Sequence, residues 1–155
     1  MRDKTCCFTG HRVIPKSEMS SLRKNLTSTL RSLISEGGIQ YFGYGGALGF
    51  DMLCAECVLE LKNEFPHISL ILVAPCADQC KGWHESEILR YESLKAQADK
   101  AVCLAQKYYN GCMQKRNRHL VDSSSVCVSY KRRQTGGTAY TVKYAESVGV
   151  RVIAL

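Results

Sequence analysis

Four short stretches of this chain combine residue types that could hold a phosphorylated ligand. Residues 9–12 read Thr-Gly-His-Arg, residues 42–53 read "FGYGGALGFDML", residues 115–118 read Lys-Arg-Asn-Arg, and residues 135–138 read Thr-Gly-Gly-Thr. A glycine-dense turn that opens a helix exposes backbone N–H groups at the positive end of the helix dipole, which favours an anion. Arginine adds a planar fork of donors matched to phosphate. Asp51, at the start of the helix expected after the second stretch, either caps that helix or accepts a hydrogen bond from a ligand hydroxyl.

The second stretch does not fit the familiar nucleotide loops. The dinucleotide fingerprint G-x-G-x-x-G is met by Gly43 and Gly45, but its third glycine would fall at Leu48, and Gly49 stands one place later. The strand that follows ends Val73-Ala74-Pro75, without the acidic residue that would hold a ribose 2′-hydroxyl. No Gly-Lys-Ser/Thr occurs, so a Walker loop is excluded. What remains is a glycine-rich turn from strand to helix, matched by a second such turn at Gly136-Gly137-Thr138.

The elements that must position these turns can be read from periodicity. Apolar runs at 4–9, 39–44, 68–74, 100–105, 125–130 and 151–155 predict strands. Between them lie helical patterns at 17–36, 50–64, 84–97, 111–122 and 138–147. The first carries Ser17 as a capping residue and Met19, Leu22, Leu26, Leu30, Leu33 and Ile34 on its apolar face. The run "ISLILVA" at 68–74 is apolar without alternation, as expected of a strand buried on both faces of a parallel sheet. Regular alternation of strand and helix predicts an α/β fold: a single Rossmann-like three-layer domain over 1–155, mostly parallel sheet with helices on both faces. In such sheets ligands bind beyond the carboxyl ends of the strands. His11 and Arg12 after the first strand, and Arg116 and Asn117 after the fourth, would then reach one cleft. Trp83 either packs in the core or covers a base.

Composition narrows the function classes. No apolar run approaches the roughly 18 residues of a membrane span, and nothing near the amino terminus reads as a signal peptide, so a cytoplasmic protein with no membrane partner is expected. The net charge of +7 gathers at Lys115, Arg116 and Arg118 and at Lys131, Arg132 and Arg133, clusters suited to the phosphates of a nucleotide or of a nucleic acid. Nine cysteines, an odd number, include Cys6, Cys7, Cys103 and Cys127 in strand-like runs, where they read as small buried hydrophobes. Cys54 and Cys57 have C-x-x-C spacing, but inside a helical pattern and with no second pair, so no metal is expected.

The stretches "CCFTGHR", "GGALGFDMLCAE", "QCKGWHESEILRY", "YYNGCMQKRNRHLVDSS" and "GGTAYTVKYA" occur in this order over nearly the whole chain. Together they resemble the YpsA-like branch of the SLOG superfamily, the Rossmannoid group that also includes the DprA and Lonely Guy proteins. The resemblance implies a pocket for a phosphorylated small molecule, a nucleotide or a derivative such as ADP-ribose, with no further cofactor required. Thr9, Gly10, His11, Arg12, Gly45, Gly46, Gly49, Asp51, Arg116, Asn117, Gly136, Gly137 and Thr138 would form that pocket.

Superfamily members divide between N-glycosidic bond cleavage and binding of nucleotide ligands or DNA. Lonely Guy proteins carry a catalytic glutamate within Pro-Gly-Gly-x-Gly-Thr-x-x-Glu; here Thr141 stands at its position and Thr135 replaces the proline. A threonine can neither stabilise an oxocarbenium-like transition state by charge nor act as a base near pH 7. The expectation is therefore a ligand-binding sensor or regulator. Hydrolysis of a nucleotide N-glycoside, with a carboxylate from Glu85, Asp51 or Asp122, and DprA-like DNA binding are the alternatives. Self-association is left open by the sequence.

Overall fold

Each apolar run pairs with its neighbours in one sheet, in the computed structural model, which describes residues 1–155. The strands are β1 (Thr5–Gly10), β2 (Tyr41–Tyr44), β3 (Ser69–Ala74), β4 (Lys100–Cys103), β5 (Val126–Tyr130) and β6 (Arg151–Ala154). The helices between them are α1 (Lys16–Ser35), α2 (Phe50–Lys62), α3 (Glu85–Gln97), α4 (Cys112–Asp122) and α5 (Gly137–Ser147). All six strands are parallel, in the order β4-β3-β2-β1-β5-β6. The expected Rossmann-like α/β architecture is what the chain adopts.

That strand order fixes where the helices go. The chain steps outward from β1 to β4 through α1, α2 and α3, then returns past β1 to β5 through α4 and steps on to β6 through α5. Right-handed crossovers in opposite directions place helices on opposite faces. The larger core accordingly packs α1, α2 and α3 side residues such as Leu26, Leu30, Leu53 and Leu94 against Phe8, Phe42 and Leu70. A smaller core on the other face joins Leu120, Val121 and Ala145 to Cys7, Val73 and Cys127. Direction reverses between β1 and β5, so the carboxyl ends of these two strands open a crevice between the two helical layers.

Helix α2 lies between α1 and α3, which explains why it buries Phe50, Asp51, Met52, Cys54 and Ala55 as well as Leu53, Cys57, Val58 and Leu61. Three local expectations are corrected. Helix α1 starts one residue early, at Lys16; Pro15 precedes it and its carbonyl accepts the N–H of Glu18 at 2.9 Å, so Ser17 lies within the first turn and caps nothing. Met19 faces outward, 38% exposed. Cys103 is exposed because β4 is an edge strand, whereas Cys6, Cys7 and Cys127 are buried as expected. All nine cysteines are free thiols, and no three His, Cys, Asp or Glu side chains converge as a metal site. No helix is long and apolar enough to cross a membrane.

The helix faces make a direct prediction. Leu30 is fully buried under α1, so Leu30→Ala lowers unfolding free energy in urea by about 2–5 kcal/mol, whereas Met19→Ala changes it by less than about 0.5. Comparable losses at both positions would contradict this orientation of α1.

Candidate functional site

The crevice beyond β1 and β5 holds a cavity of about 620 Å³, within the size range of small-molecule sites. Its floor is the end of β1, Phe8 to Gly10, continued by His11 and Arg12. Its walls come from α1, from Ala47 and Asp51 at the start of α2, from Met113, Arg116 and Asn117 on α4, and from the 130–138 segment.

Two charged side chains lie deepest. Arg116 is 4% exposed and Asp51 6%. The guanidinium of Arg116 donates from Nη1 to the Gly45 carbonyl and from Nε to Asn117 Oδ1 at 2.8 Å, while Nη2 meets only the weak thioether acceptor of Met113 at 3.8 Å. The side-chain ion pairs of the protein join Arg23–Glu60, Arg31–Glu64, Lys62–Asp99, Arg90–Glu56 and Arg132–Glu18, and none includes Arg116. A cavity wall therefore carries a buried cation with donors to spare.

Asp51 turns back onto the loop before its own helix. Its Oδ2 accepts the N–H of Gly45 at 3.2 Å and of Ala47 at 3.3 Å, leaving Oδ1 without a protein donor. Of the two roles open for Asp51 in the sequence, the structure shows a carboxylate that organises the glycine loop and does not cap α2. Burial raises its pKa above the usual carboxylate value, opposed by Arg116, by the two backbone donors and by Arg12. Burial likewise disfavours the charged form of Arg116, opposed by Asp51.

The glycines of the loop face protein, and the cavity lining does not include them. A Cβ on Gly45 would stand 2.5 Å from Nη1 of Arg116. At Gly46, with φ +74°, it would meet the Tyr91 ring at 2.8 Å, and at Gly49, with φ +79°, the Arg12 carbonyl oxygen at 2.2 Å. These close approaches, and the amide of Phe50 donating to the His11 carbonyl at 3.1 Å, clamp the loop to the end of β1. Gly136 lies outside the lining, and Trp83 packs edge-on against Tyr91 at 5.8 Å beside the larger core. Thr9, Gly10, His11, Arg12, Asp51, Arg116, Asn117, Gly137 and Thr138 are all brought together at the cavity.

Residues that sequence reasoning did not assign to the site also line it. Arg132, Arg133 and Thr135 fall in the segment after β5 and stood out only as charge or turn residues; Tyr130 ends that strand. Val13, Pro15 and Glu18 belong to the entry into α1, where no local pattern marks them. Thr141, at the position of the Lonely Guy glutamate, is 2% exposed and donates its hydroxyl to the Gly137 carbonyl at 2.8 Å. Among the carboxylates considered as replacements, Asp51 lines the cavity; Glu85 and Asp122 do not, and Asp122 instead accepts the Tyr144 hydroxyl at 2.7 Å.

The model of the YspA SLOG family matches residues 10–151, from the glycine at the end of β1 into β6. The chain belongs to this SLOG family. A UPF0398 protein of Halalkalibacterium halodurans is 30% identical over 128 residues, covering 81% of this chain and 67% of that protein. The SPbeta prophage-derived protein YoqJ of Bacillus subtilis is 28% identical over 140 residues, covering 83% and 82%. The UPF0398 protein YpsA of Bacillus subtilis is 27% identical over 128 residues, covering 81% and 71%. Among solved structures, DNA processing protein A from Helicobacter pylori, a single-stranded DNA binder, superimposes with a TM-score of 0.72 at 17% identity. DprA from Streptococcus pneumoniae does so with a TM-score of 0.69 at 15% identity. At these identities the likeness is one of fold, and this chain spans 65% and 49% of the two structures while 99% and 97% of it is covered.

His11 gives the SLOG cavity a neutral wall. Its Nε2 accepts the backbone N–H of Arg132 at 2.7 Å, so the ring proton of the neutral imidazole sits on Nδ1. Arg133 Nη2, 3.3 Å from Nδ1, then meets a donor and not an acceptor. Burial, with Arg133 and Arg132 adding like charge, lowers the His11 pKa below its ordinary 6.5. The unfolded chain therefore binds a proton in the window just below pH 6.5 that the folded chain does not, and stability falls as pH drops through it. Asp51, with its pKa raised above 3.8, acts with opposite sign in the window that opens above pH 3.8. In urea titrations between pH 6.5 and 5, His11→Gln reduces the loss of stability on acidification; an unchanged slope would contradict the buried neutral imidazole.

Proposed function

We propose that residues 1–155 act as one ligand-binding domain whose cavity takes a phosphorylated nucleotide-type molecule, of the ADP-ribose kind, as a cytoplasmic sensor or regulator. One observation carries this reading. Arg116, 4% exposed, with unused donors and no carboxylate within ion-pair distance, lines a cavity that Arg12 and Arg133 also face. A phosphate oxygen there would satisfy donors that the protein leaves free, and bidentate pairing with a phosphate suits their planar geometry. The start of α5, where Gly137 and Thr138 line the same cavity, adds backbone donors and the positive end of a helix dipole. Asp51 Oδ1, the free acceptor beside Arg116, would take a donor from the ligand.

Binding is favoured over N-glycoside cleavage because Thr141 spends its hydroxyl on the Gly137 carbonyl and supplies no carboxylate. Of the carboxylates Glu85, Asp51 and Asp122, Asp51 is the one that lines the cavity and could support cleavage. DNA binding is supported by the fold shared with the two DNA processing proteins and by exposed Arg132 and Arg133. A nucleic-acid phosphate would use the same cations, with a log affinity falling roughly 0.7 unit per log unit of salt for each phosphate neutralised on a single strand.

Thermal unfolding with orthophosphate, AMP, NAD, ADP-ribose and a single-stranded oligonucleotide separates these readings. A nucleotide at 100 times its dissociation constant raises stability by about 2.7 kcal/mol. The Arg116→Lys variant, which keeps charge but loses the fork, reduces the nucleotide shift by more than half. Stabilisation by the oligonucleotide alone, or no shift with any ligand at millimolar concentration, would overturn the proposal. Free base in the recovered nucleotide would mark cleavage.

A further inference from the structure

The two ends of the cavity differ in chemistry. On the α4 and α5 side it presents donors, from Arg116, Asn117 and Thr138. On the α1 side stand Val13, Pro15 and Glu18, with Tyr130 and Arg132 behind them. Glu18 is the second carboxylate of the lining, and its surroundings hold it in place. Its Oε1 accepts the Tyr130 hydroxyl at 3.0 Å and Arg132 Nε at 3.2 Å, and its backbone N–H is fixed to the Pro15 carbonyl.

Arg132 is partly engaged at this end, through Nε and Nη1. Its guanidinium lies 4.3 Å over the Tyr130 ring, and its Nη1 donates to the carbonyls of Leu155 at 2.9 Å and Lys131 at 3.3 Å. With Oε1 doubly engaged, Glu18 Oε2 is left with no protein donor. The α1 end therefore offers an acceptor for hydroxyl groups. One free carboxylate oxygen with two lone pairs suits a vicinal diol. Next to it, Val13, 81% exposed, and Pro15 offer a small apolar surface on which a base can rest without using Glu18.

We propose that Glu18 accepts hydrogen bonds from the ribose hydroxyls of a nucleotide whose phosphate lies at Arg116, and thereby selects ribonucleotides over 2′-deoxyribonucleotides. This assignment rests on the binding reading above and adds the orientation of the ligand: phosphate between α4 and α5, ribose against α1. The first turn of α1, a helix that packs on the opposite face of the sheet from α4, thus becomes part of the site. The carboxylate side chain is 36% exposed, so its effect is moderate and not absolute.

Titration calorimetry with AMP, IMP, 2′-deoxy-AMP and orthophosphate, on the wild type and on Glu18→Gln, tests the assignment. The wild type binds AMP and IMP about tenfold more tightly than 2′-deoxy-AMP, the size expected for one hydrogen bond to a partly exposed carboxylate. In Glu18→Gln that preference disappears: AMP weakens more than 2′-deoxy-AMP, which has only the 3′-hydroxyl to lose, while orthophosphate binds as before. Glu18→Asp, which keeps the charge but withdraws it by one methylene, gives an intermediate preference and serves if the glutamine variant does not fold. Three results would overturn the assignment: a preference retained in Glu18→Gln, an equal weakening of every ligand including orthophosphate, or a loss for AMP with none for IMP, which would point to the base amine. Failure of the wild type to bind either orthophosphate or AMP would instead remove the binding reading itself, whereas AMP binding without ribose preference removes only the role of Glu18.

Discussion

The burial of the Arg116 guanidinium against the Gly45 carbonyl is the interaction on which the rest of the site depends. A buried charge is tolerated only when its donors find acceptors. Here the acceptors come from the loop between β2 and α2 and from Asn117, its neighbour on α4. The Gly45 carbonyl also accepts Gln79 Nε2 at 3.1 Å, which ties in the segment after β3. A side chain at 45 would displace the guanidinium, since its Cβ would stand 2.5 Å from Nη1. Asp51 then gathers the N–H groups of the same loop, and Gly49 brings the loop within contact of the carbonyls of His11 and Arg12. Three loops from the carboxyl edge of the sheet are thus fixed around one side chain.

This arrangement separates two tasks that glycine-rich turns often combine. The glycines at 45, 46 and 49 permit close packing of protein on protein, and the charged groups that they hold in place line the cavity. In the proposed reading the ligand is held by Arg116, Asp51 and the start of α5, in a pocket already built before binding, which lowers the ordering cost of association. The sheet topology supplies the setting. Because the chain reverses direction between β1 and β5, helices α1 and α4 pack on opposite faces and leave their ends apart over the switch point.

Much of this was legible in the sequence. Strand and helix alternation gave the parallel sheet, since apolar runs such as "ISLILVA" have no polar face to expose. The turns after β1 and β5 led to Gly10, His11, Gly137 and Thr138 because residues just beyond a strand must lie on the ligand edge. Arg116 and Asn117 followed from the same logic on α4. The limits are equally physical. A glycine signals close approach but not what approaches: the sequence points Gly45, Gly46 and Gly49 toward a ligand, whereas their neighbours are Arg116, Tyr91 and the Arg12 carbonyl. Trp83 could be placed only once its edge-on contact with Tyr91 was visible. Glu18 carried no local signal at all: its role arises from Tyr130 and Arg132, more than a hundred residues away, which three-dimensional packing alone brings to it.

The central claim is that the free donors of Arg116 form an anion site. The most direct measurement is the NMR of the arginine side-chain nitrogens during titration with orthophosphate and then with ADP-ribose. The account predicts a saturable shift of the Arg116 Nε and Nη resonances with both, at lower concentration for ADP-ribose, while Arg23 and Arg31, engaged in surface ion pairs on α1, stay unchanged. Unmoved Arg116 resonances, or equal shifts at every arginine, would contradict it.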